Sequence, residues 1–224
     1  MLIAIEGIDG SGKGTQSALL KEKCESRGMH TEILSFPRYG QTLFAKCVAA
    51  YLNGEFGDLA SVSPQSAALL YAGDRFESLS TITQLAQSHE VLILDRYVAS
   101  NLAHQAAKMD DDDRQEFIAW LSHMEYEVFG LPRADLTLYL DMPAEIAAQQ
   151  VFKKKQRAYT TQAADLHEQD ITYLARCREV YQFLVQRNAD SIWVPIQCLR
   201  PDGTIFPASE IHRLIWDAIP PLRH

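Results

Sequence analysis

Leu2-Ile3-Ala4-Ile5-Glu6, followed without a break by Gly7-Ile8-Asp9-Gly10-Ser11-Gly12-Lys13-Gly14-Thr15, is the stretch that decides the fold. Its first residues are too few for a typical helix and almost wholly apolar, which reads as a strand covered on both faces. Glycines and a lysine then lead into Lys13–Arg27, a stretch with helical patterning. In a strand–loop–helix of this kind the glycines let backbone N–H groups converge on phosphate oxygens. The helix N-terminus adds favourable partial charge, and the lysine reaches the outer phosphates. A turn that only joined strand to helix would need neither the lysine nor so many glycines. Gly7, Gly10, Ser11, Gly12, Lys13, Gly14 and Thr15 are therefore candidate polyphosphate ligands. The generic pattern has Ser or Thr directly after the lysine; here Gly14 intervenes and the hydroxyl is displaced to Thr15.

Outward from this loop, short apolar runs alternate with longer amphipathic stretches, the pattern of strands joined by helical crossovers, and so of α/β architecture with a parallel sheet. Strands are predicted at Leu2–Glu6, Thr31–Phe36, Val91–Asp95, Leu136–Asp141 and Ile192–Ile196. Helices are predicted at Lys13–Arg27, Thr42–Leu52, Pro64–Ser88, Tyr97–Lys108, Asp112–Phe129, Pro143–Gln156, Asp170–Arg187 and Ser209–Ala218. Pro64 and Pro143 suit first helical turns, Ser63 suits an N-cap and Gly28 a C-terminal stop. With 224 residues and no linker, repeat or composition break, one domain spanning 1–224 is expected.

A composition of 47% hydrophobic and 22% charged residues excludes a disordered or collagen-like chain. The net charge of −8 disfavours nucleic-acid and membrane partners, while leaving room for a small phosphorylated ligand held by a local basic cluster. Cys24, Cys47, Cys177 and Cys198 lack metal or redox spacing and read as reduced thiols of a cytoplasmic protein. The start of the chain lacks a cationic, long-apolar signal sequence, and no apolar run approaches the ~20 residues that span a bilayer.

Val91-Leu92-Ile93-Leu94-Asp95 delivers a carboxylate to the C-terminal edge of a strand, the edge where open α/β sheets bind ligands. Beside a phosphate loop, Asp95 suits water-mediated contact with a nucleotide's Mg²⁺, although a lone strand-end Asp is more often a helix cap. The run Asp110-Asp111-Asp112-Asp113 directly precedes a helical pattern, so capping and dipole compensation are preferred over a metal site.

Further landmarks follow in order: Phe36-Pro37-Arg38; Tyr71-Ala72-Gly73-Asp74-Arg75; Asp95-Arg96-Tyr97 with Ser100, Asn101 and Gln105; Lys153-Lys154-Lys155-Gln156-Arg157; and Asp165-Leu166-His167-Glu168-Gln169-Asp170. The Gly-Lys-Gly-Thr form of the loop is familiar from nucleoside monophosphate kinases. The whole ordered set, covering essentially the full chain, resembles the thymidylate kinase family, which transfers the γ-phosphoryl of ATP to dTMP. That resemblance implies a three-layer P-loop kinase fold with a five-stranded parallel sheet flanked by helices and a short lid near 153–168. It also implies Mg²⁺ with ATP as donor, and a homodimer.

The resemblance assigns Arg38 and Arg96 to the dTMP phosphate, a role that suits guanidinium groups on strand-end loops, where surface salt bridging is the alternative. It stacks Tyr71 on thymine, has Arg75 donate to a thymine carbonyl and sets Asn101 against the base's N–H edge. Periodicity alone reads Tyr71 as core packing. Asp9 is placed near the sugar 3′-hydroxyl and the phosphates, where a carboxylate needs compensating cations. Phe36, Ser100 and His104 complete the acceptor site; Glu168, a water-mediated ligand by its family position, and Thr15 join Asp95 around Mg²⁺. His104 and His167 stand where the family usually has aromatics. Family members carry the transition-state cation either in the loop or on the lid. Position 10 is Gly, so the lid cations Lys153, Lys154, Lys155 and above all Arg157 take that role, giving Lys13, Arg96, Arg157 and Asp9 as the catalytic set. The alternatives are a kinase for another monophosphate and a nucleotide-binding regulator without turnover.

Overall fold

In a computed structural model, described over residues 1–58, 61–152, 171–188 and 190–220, the apolar runs form β1 (Leu2–Glu6), β2 (Thr31–Ser35), β3 (Val91–Asp95), β4 (Leu136–Asp141) and β5 (Ile192–Gln197). They make one parallel sheet in the order β2-β3-β1-β4-β5, with Ile3 of β1 in register with Ile93 on one side and Leu136 on the other. β1 and β4 are buried along their whole length, as continuous apolarity requires of strands covered on both faces. Ile192, on the edge strand β5, is 59% exposed.

The chain leaves β1 towards β2 on one side and later reaches β4 on the other, so the crossover direction reverses at β1. A crevice opens at such a switch point beyond the carboxyl ends of the strands, which is where the glycine loop begins. Helices α1 (Lys13–Glu25) and α9 (Ala208–Ala218) pack together on one face. Right-handed crossovers carry α5 (Val98–Ala106) and α8 (Ile171–Arg187) to the other face, where they pack on each other. α2 (Leu43–Leu52) packs on α3 (Pro64–Glu77), which in turn lies against α5. α4 (Leu79–Ser88), α6 (Asp111–His123) and α7 (Ala144–Phe152) complete the described helices.

Local chemistry explains the ends. Ser63 Oγ accepts from Ser66 N at 3.1 Å, and Gly28, at φ +81°, ends the turn after α1 with its N–H on Glu25 O. Asp110 is the N-cap of α6, but its side chain makes no capping hydrogen bond; the acidic run acts through the helix dipole and an Asp111–Arg114 pair at 2.6 Å. Among the described residues no His, Cys, Asp and Glu group is arranged to hold a metal ion.

Two helices differ from the sequence expectation. Pro64–Ser88 is interrupted at Ser78, whose hydroxyl donates to Asp74 O at 2.7 Å while its backbone sits at φ −93°, ψ 0°. A hydroxyl bonding back to the preceding turn competes with the helix ladder. Asp112–Phe129 is α-helical only to His123, after which Met124–Val128 forms a wider π-helical turn. The region 153–168 lies outside the described residues.

All four cysteines are free, and burial pushes the thiols of Cys177 and Cys198 up to about 12. Among the described residues no helix is long and apolar enough to cross a membrane.

Candidate active site

The loop after β1 closes on itself. Lys13 Nζ donates to Gly7 O and Ile8 O, both at 2.9 Å, so the backbone curls around its ammonium group. Gly10 lies at φ +87°, and a Cβ there would come 2.1 Å from Ala147 O on α7. An arginine at position 10 is therefore sterically excluded as well as absent. Gly14 serves a different approach: a Cβ on it would lie 3.2 Å from Asp95 Oδ2, so the missing side chain lets the strand-end carboxylate come up to the loop. Ser11 Oγ is buried without a hydrogen-bond partner, a rare condition for a polar atom and one suited to a loop that closes on a ligand.

Asp9 forms an ion pair with Arg96 and lies 3.9 Å from Lys13 Nζ, which supplies the cationic compensation its position demands. Arg96 holds a left-handed backbone at φ +68°, uncommon for a residue with a Cβ. Its N–H bonds to Ile5 O at 3.2 Å, and Tyr97 N donates to Glu6 Oε1 at 2.7 Å. Glu6, fully buried, also accepts from Ser100 N, from Ser100 Oγ at 2.6 Å and from Tyr181 OH at 2.9 Å. This carboxylate thus ties β1, the start of α5 and α8 together around Arg96. Burial, and then the charge of Glu6, holds the Tyr181 hydroxyl well above its usual range, so it remains a donor.

Above the loop lies a cavity of about 350 Å³, a size that suits a small ligand. Asp9, Gly10, Gly12, Lys13 and Gly14 form its floor; Asp95 and Arg96 enter from β3. Phe36 and Tyr71 line it with Arg75, Ser100, Asn101 and His104. His104 Nε2 faces Arg96 Nη1 at 3.4 Å and its Nδ1 faces Tyr173 OH at 3.2 Å, while Tyr173 OH donates to His104 O at 2.9 Å. Arg96, Tyr173 and Cys177 thus hold the ring between them, with Cys177 Sγ 3.6 Å from Nδ1.

Not every expected residue reaches the cavity. Arg38 turns its Nη1 to Ser78 Oγ at 3.2 Å, and its backbone N–H is held by Asp74 Oδ2 at 2.9 Å. Thr15 is exposed and outside the lining. Gly7 and Ser11 lie in the loop behind the lining residues, and Lys153, Lys154, Lys155, Arg157, His167 and Glu168 fall outside the described residues.

Behind two lining residues of the cavity, Arg75 and Asn101, lies a carboxylate that sequence reasoning missed. Arg75 donates through Nε and Nη2 to Glu125 at 2.5 and 2.6 Å, and Asn101 Nδ2 donates to Glu125 Oε1 at 2.8 Å. Burial alone would pull the Arg75 guanidinium down, but the charge and hydrogen bonds of Glu125 raise it above its ordinary value. The only sequence signal for Glu125 was an acidic residue inside an otherwise apolar-periodic stretch. Asp74 was also passed over: it holds Arg38 N and accepts from Thr42 Oγ1 at 2.5 Å, hanging the loop after β2 on α3.

A sequence profile described as thymidylate kinase matches residues 5–197. The chain belongs to the thymidylate kinase family. It is 38% identical over 196 residues to a thymidylate kinase of Mycobacterium tuberculosis, covering 88% of this chain and 91% of that one. A probable thymidylate kinase of Archaeoglobus fulgidus is 28% identical over 202 residues, or 90% of this chain and 88% of the relative. The solved thymidylate kinase of Candida albicans superposes with a TM-score of 0.69 at 24% identity, over 96% of this chain and 89% of that one, and so shares the P-loop kinase fold. Thymidylate kinases are nucleoside monophosphate kinases that phosphorylate dTMP, and this chain is one of that family's transferases.

Proposed function

We propose that this family member transfers the γ-phosphoryl of Mg²⁺-ATP to dTMP by direct in-line displacement, with the donor on Gly7–Thr15 and the acceptor in the adjoining cavity. The carrying observation is that the closed phosphate loop lines one cavity together with Arg75 and Asn101. Arg96 exchanges Asp9 for the acceptor phosphate, and Asp9 then orients the sugar. Lys13 exchanges its loop carbonyls for outer phosphate oxygens. Arg38 reaches the phosphate only by leaving Ser78. Tyr71 and Phe36 flank the base, Ser100 and His104 line the sugar side, and positioning with charge neutralisation supplies most of the rate.

Asp95, close to the loop at Gly14, fits a water-mediated ligand of Mg²⁺, with Glu168 and Thr15 as further candidates; the ion, when bound, neutralises charge on the donor phosphates. A lid near 153–168 closes over the donor and brings Arg157, supported by Lys153, Lys154 and Lys155.

The homodimer implied by the family resemblance is supported by an apolar face: Leu43 and Phe44 of α2, Phe76 of α3 and Val128 are 68, 39, 50 and 60% exposed, and Phe76 packs on Phe129. Four free thiols support a cytoplasmic location, and the acidic surface supports ATP and dTMP rather than nucleic acid or membrane as partners.

A coupled ADP-release assay with Mg²⁺-ATP and a panel of nucleoside monophosphates tests this reading. dTMP is expected to give the highest kcat/KM, with dUMP a detectable poorer acceptor, since one methyl is worth only ~1–3 kcal/mol. A higher value for AMP or GMP, or ATP binding with no ADP formed on any acceptor, overturns it.

A further inference from the structure

We propose that Glu125 is a specificity-determining positioning residue: by taking the nitrogen edge of Asn101 and two donors of Arg75, it fixes the donor–acceptor polarity that the cavity shows to the base. The proposal rests on the base lying against Arg75 and Asn101, as assigned above.

Asn101 carries one amide oxygen and one amide nitrogen, and only its surroundings decide which points where. Its Nδ2 lies 3.0 Å from Ala68 O and 2.8 Å from Glu125 Oε1. Both partners are acceptors only, so the nitrogen must face them. Asn101 Oδ1 is left buried with no hydrogen-bond partner, in a residue that lines the cavity and is 3% exposed. Arg75 is constrained in the same way. Nε and Nη2 are committed to Glu125, and Nη1 makes no hydrogen bond among the described residues. The groups these two lining residues leave uncommitted are one donor, Arg75 Nη1, and one acceptor, Asn101 Oδ1.

Thymine and uracil carry the complement, an O4 acceptor beside an N3–H donor. Cytosine carries the reverse, an amino donor beside an N3 acceptor. A reversed edge would set donor against donor and acceptor against acceptor, and buried groups left unpaired in this way reject a ligand strongly. Glu125 touches no base in this arrangement; it acts by fixing the two groups that do. It sits in the π-helical turn Met124–Val128, a departure from α-geometry that recurs at functional sites. Without a carboxylate at this point only Ala68 O would oppose rotation of the Asn101 amide.

The test compares dTMP with 5-methyl-dCMP, which keeps the methyl group and reverses the edge, on the wild type and on Glu125→Gln, with dUMP as a same-edge control. The wild type should prefer dTMP over 5-methyl-dCMP by about 10³-fold or more in kcat/KM. If it does not, the assignment of the base pocket fails before Glu125 is at issue. In Glu125→Gln, dTMP and dUMP should both lose about 10–100-fold, chiefly in KM, because the Gln amide offers a donor to Asn101 and allows its flip. The preference for dTMP over 5-methyl-dCMP should shrink by about tenfold or more. A folded variant in which all three substrates fall by the same factor shows a merely structural role and overturns the proposal.

Should Glu125→Gln not fold, the wild type decides. With ¹⁵N-labelled asparagine, the Asn101 side-chain NH₂ should be protected from solvent exchange without ligand and nearly unchanged on adding dTMP, since both protons face protein acceptors. NH₂ protons that exchange freely until dTMP binds would place the nitrogen in the cavity and contradict the proposal.

Discussion

The two ends of the cavity are prepared for their ligands in opposite ways. At the base end, Glu125, Arg75 and Asn101 satisfy one another in nearly complete burial, leaving one donor and one acceptor uncommitted. At the phosphate end the charges rest on stand-ins: Lys13 on the carbonyls of its own loop, Arg96 on Asp9, Arg38 on Ser78. On the proposed assignment, recognition of the base belongs to the resting fold, whereas charge neutralisation is assembled by exchanging partners as phosphates arrive. Specificity then costs little reorganisation at binding, and catalytic power appears only with both substrates in place.

Breaking the phosphate end should have the largest effect. Lys13→Ala is expected to lower kcat by about 10²–10³-fold or more. Circular dichroism on the same sample should show a folded protein, because the lysine's loop carbonyls can turn to solvent; near-native turnover would detach the loop from catalysis. Arg157→Ala comes next, with about 10³-fold or less lost in kcat because neighbouring lysines partly substitute. ATP affinity should change far less, since the proposed contact is one made on lid closure. Single-turnover kinetics at saturating ATP and dTMP separate these quantities.

The base end should break differently. Asn101→Ala removes a ground-state contact and leaves Glu125 one donor short, so dTMP KM should rise about 10–100-fold with kcat within a few fold. A kcat loss equal to that of Lys13→Ala would erase the contrast between the two ends.

How much of this was legible beforehand follows the same division. β1, the loop and α1 were readable because glycines and a lysine between a strand and a helix leave little else to build, and β3 and β4 because both-face burial demands unbroken apolarity. The break at Ser78 and the π-turn at Met124–Val128 were not readable. The π-turn depends on Glu125 meeting Arg75, 50 residues away in sequence, while the break depends on Ser78 bonding back to Asp74 O of its own helix, an option open to any helical serine. Glu6 and Glu125 were missed for one reason: a buried carboxylate is identified by its partners, and these lie 91 and 50 residues away in sequence. Arg38 was chosen for its place at the sheet edge, but a long side chain's direction is settled by nearby acceptors, here Ser78.

Smaller effects sharpen the comparison where the two ends meet the scaffold. Thr42 caps α2 through Ala45 N and donates to Asp74, so Thr42→Ala should cost about 1–3 kcal/mol in chemical denaturation, with kcat little changed. The smallest effect belongs to His212 on α9, the helix packed against α1. Burial, and then Lys23, lowers its pKa in the folded protein. Its contribution to stability is therefore full above the unfolded imidazole value of ~6.5 and is lost as pH falls through the lower folded value. His212→Gln should flatten that part of the stability–pH curve and leave dTMP binding untouched.

The contrast between the ends is tested most directly by following arginine side-chain Nε–H signals in ¹⁵N-labelled protein as dTMP is added. The Arg75 signal should already exchange slowly with solvent in the free protein and move little, because Nε keeps Glu125 throughout, while the Arg96 signal shifts and gains protection as the guanidinium passes from Asp9 to the phosphate. An Arg75 Nε–H that exchanges freely until dTMP binds, or an Arg96 signal that does not respond, would contradict a prebuilt base end and a reassembled phosphate end.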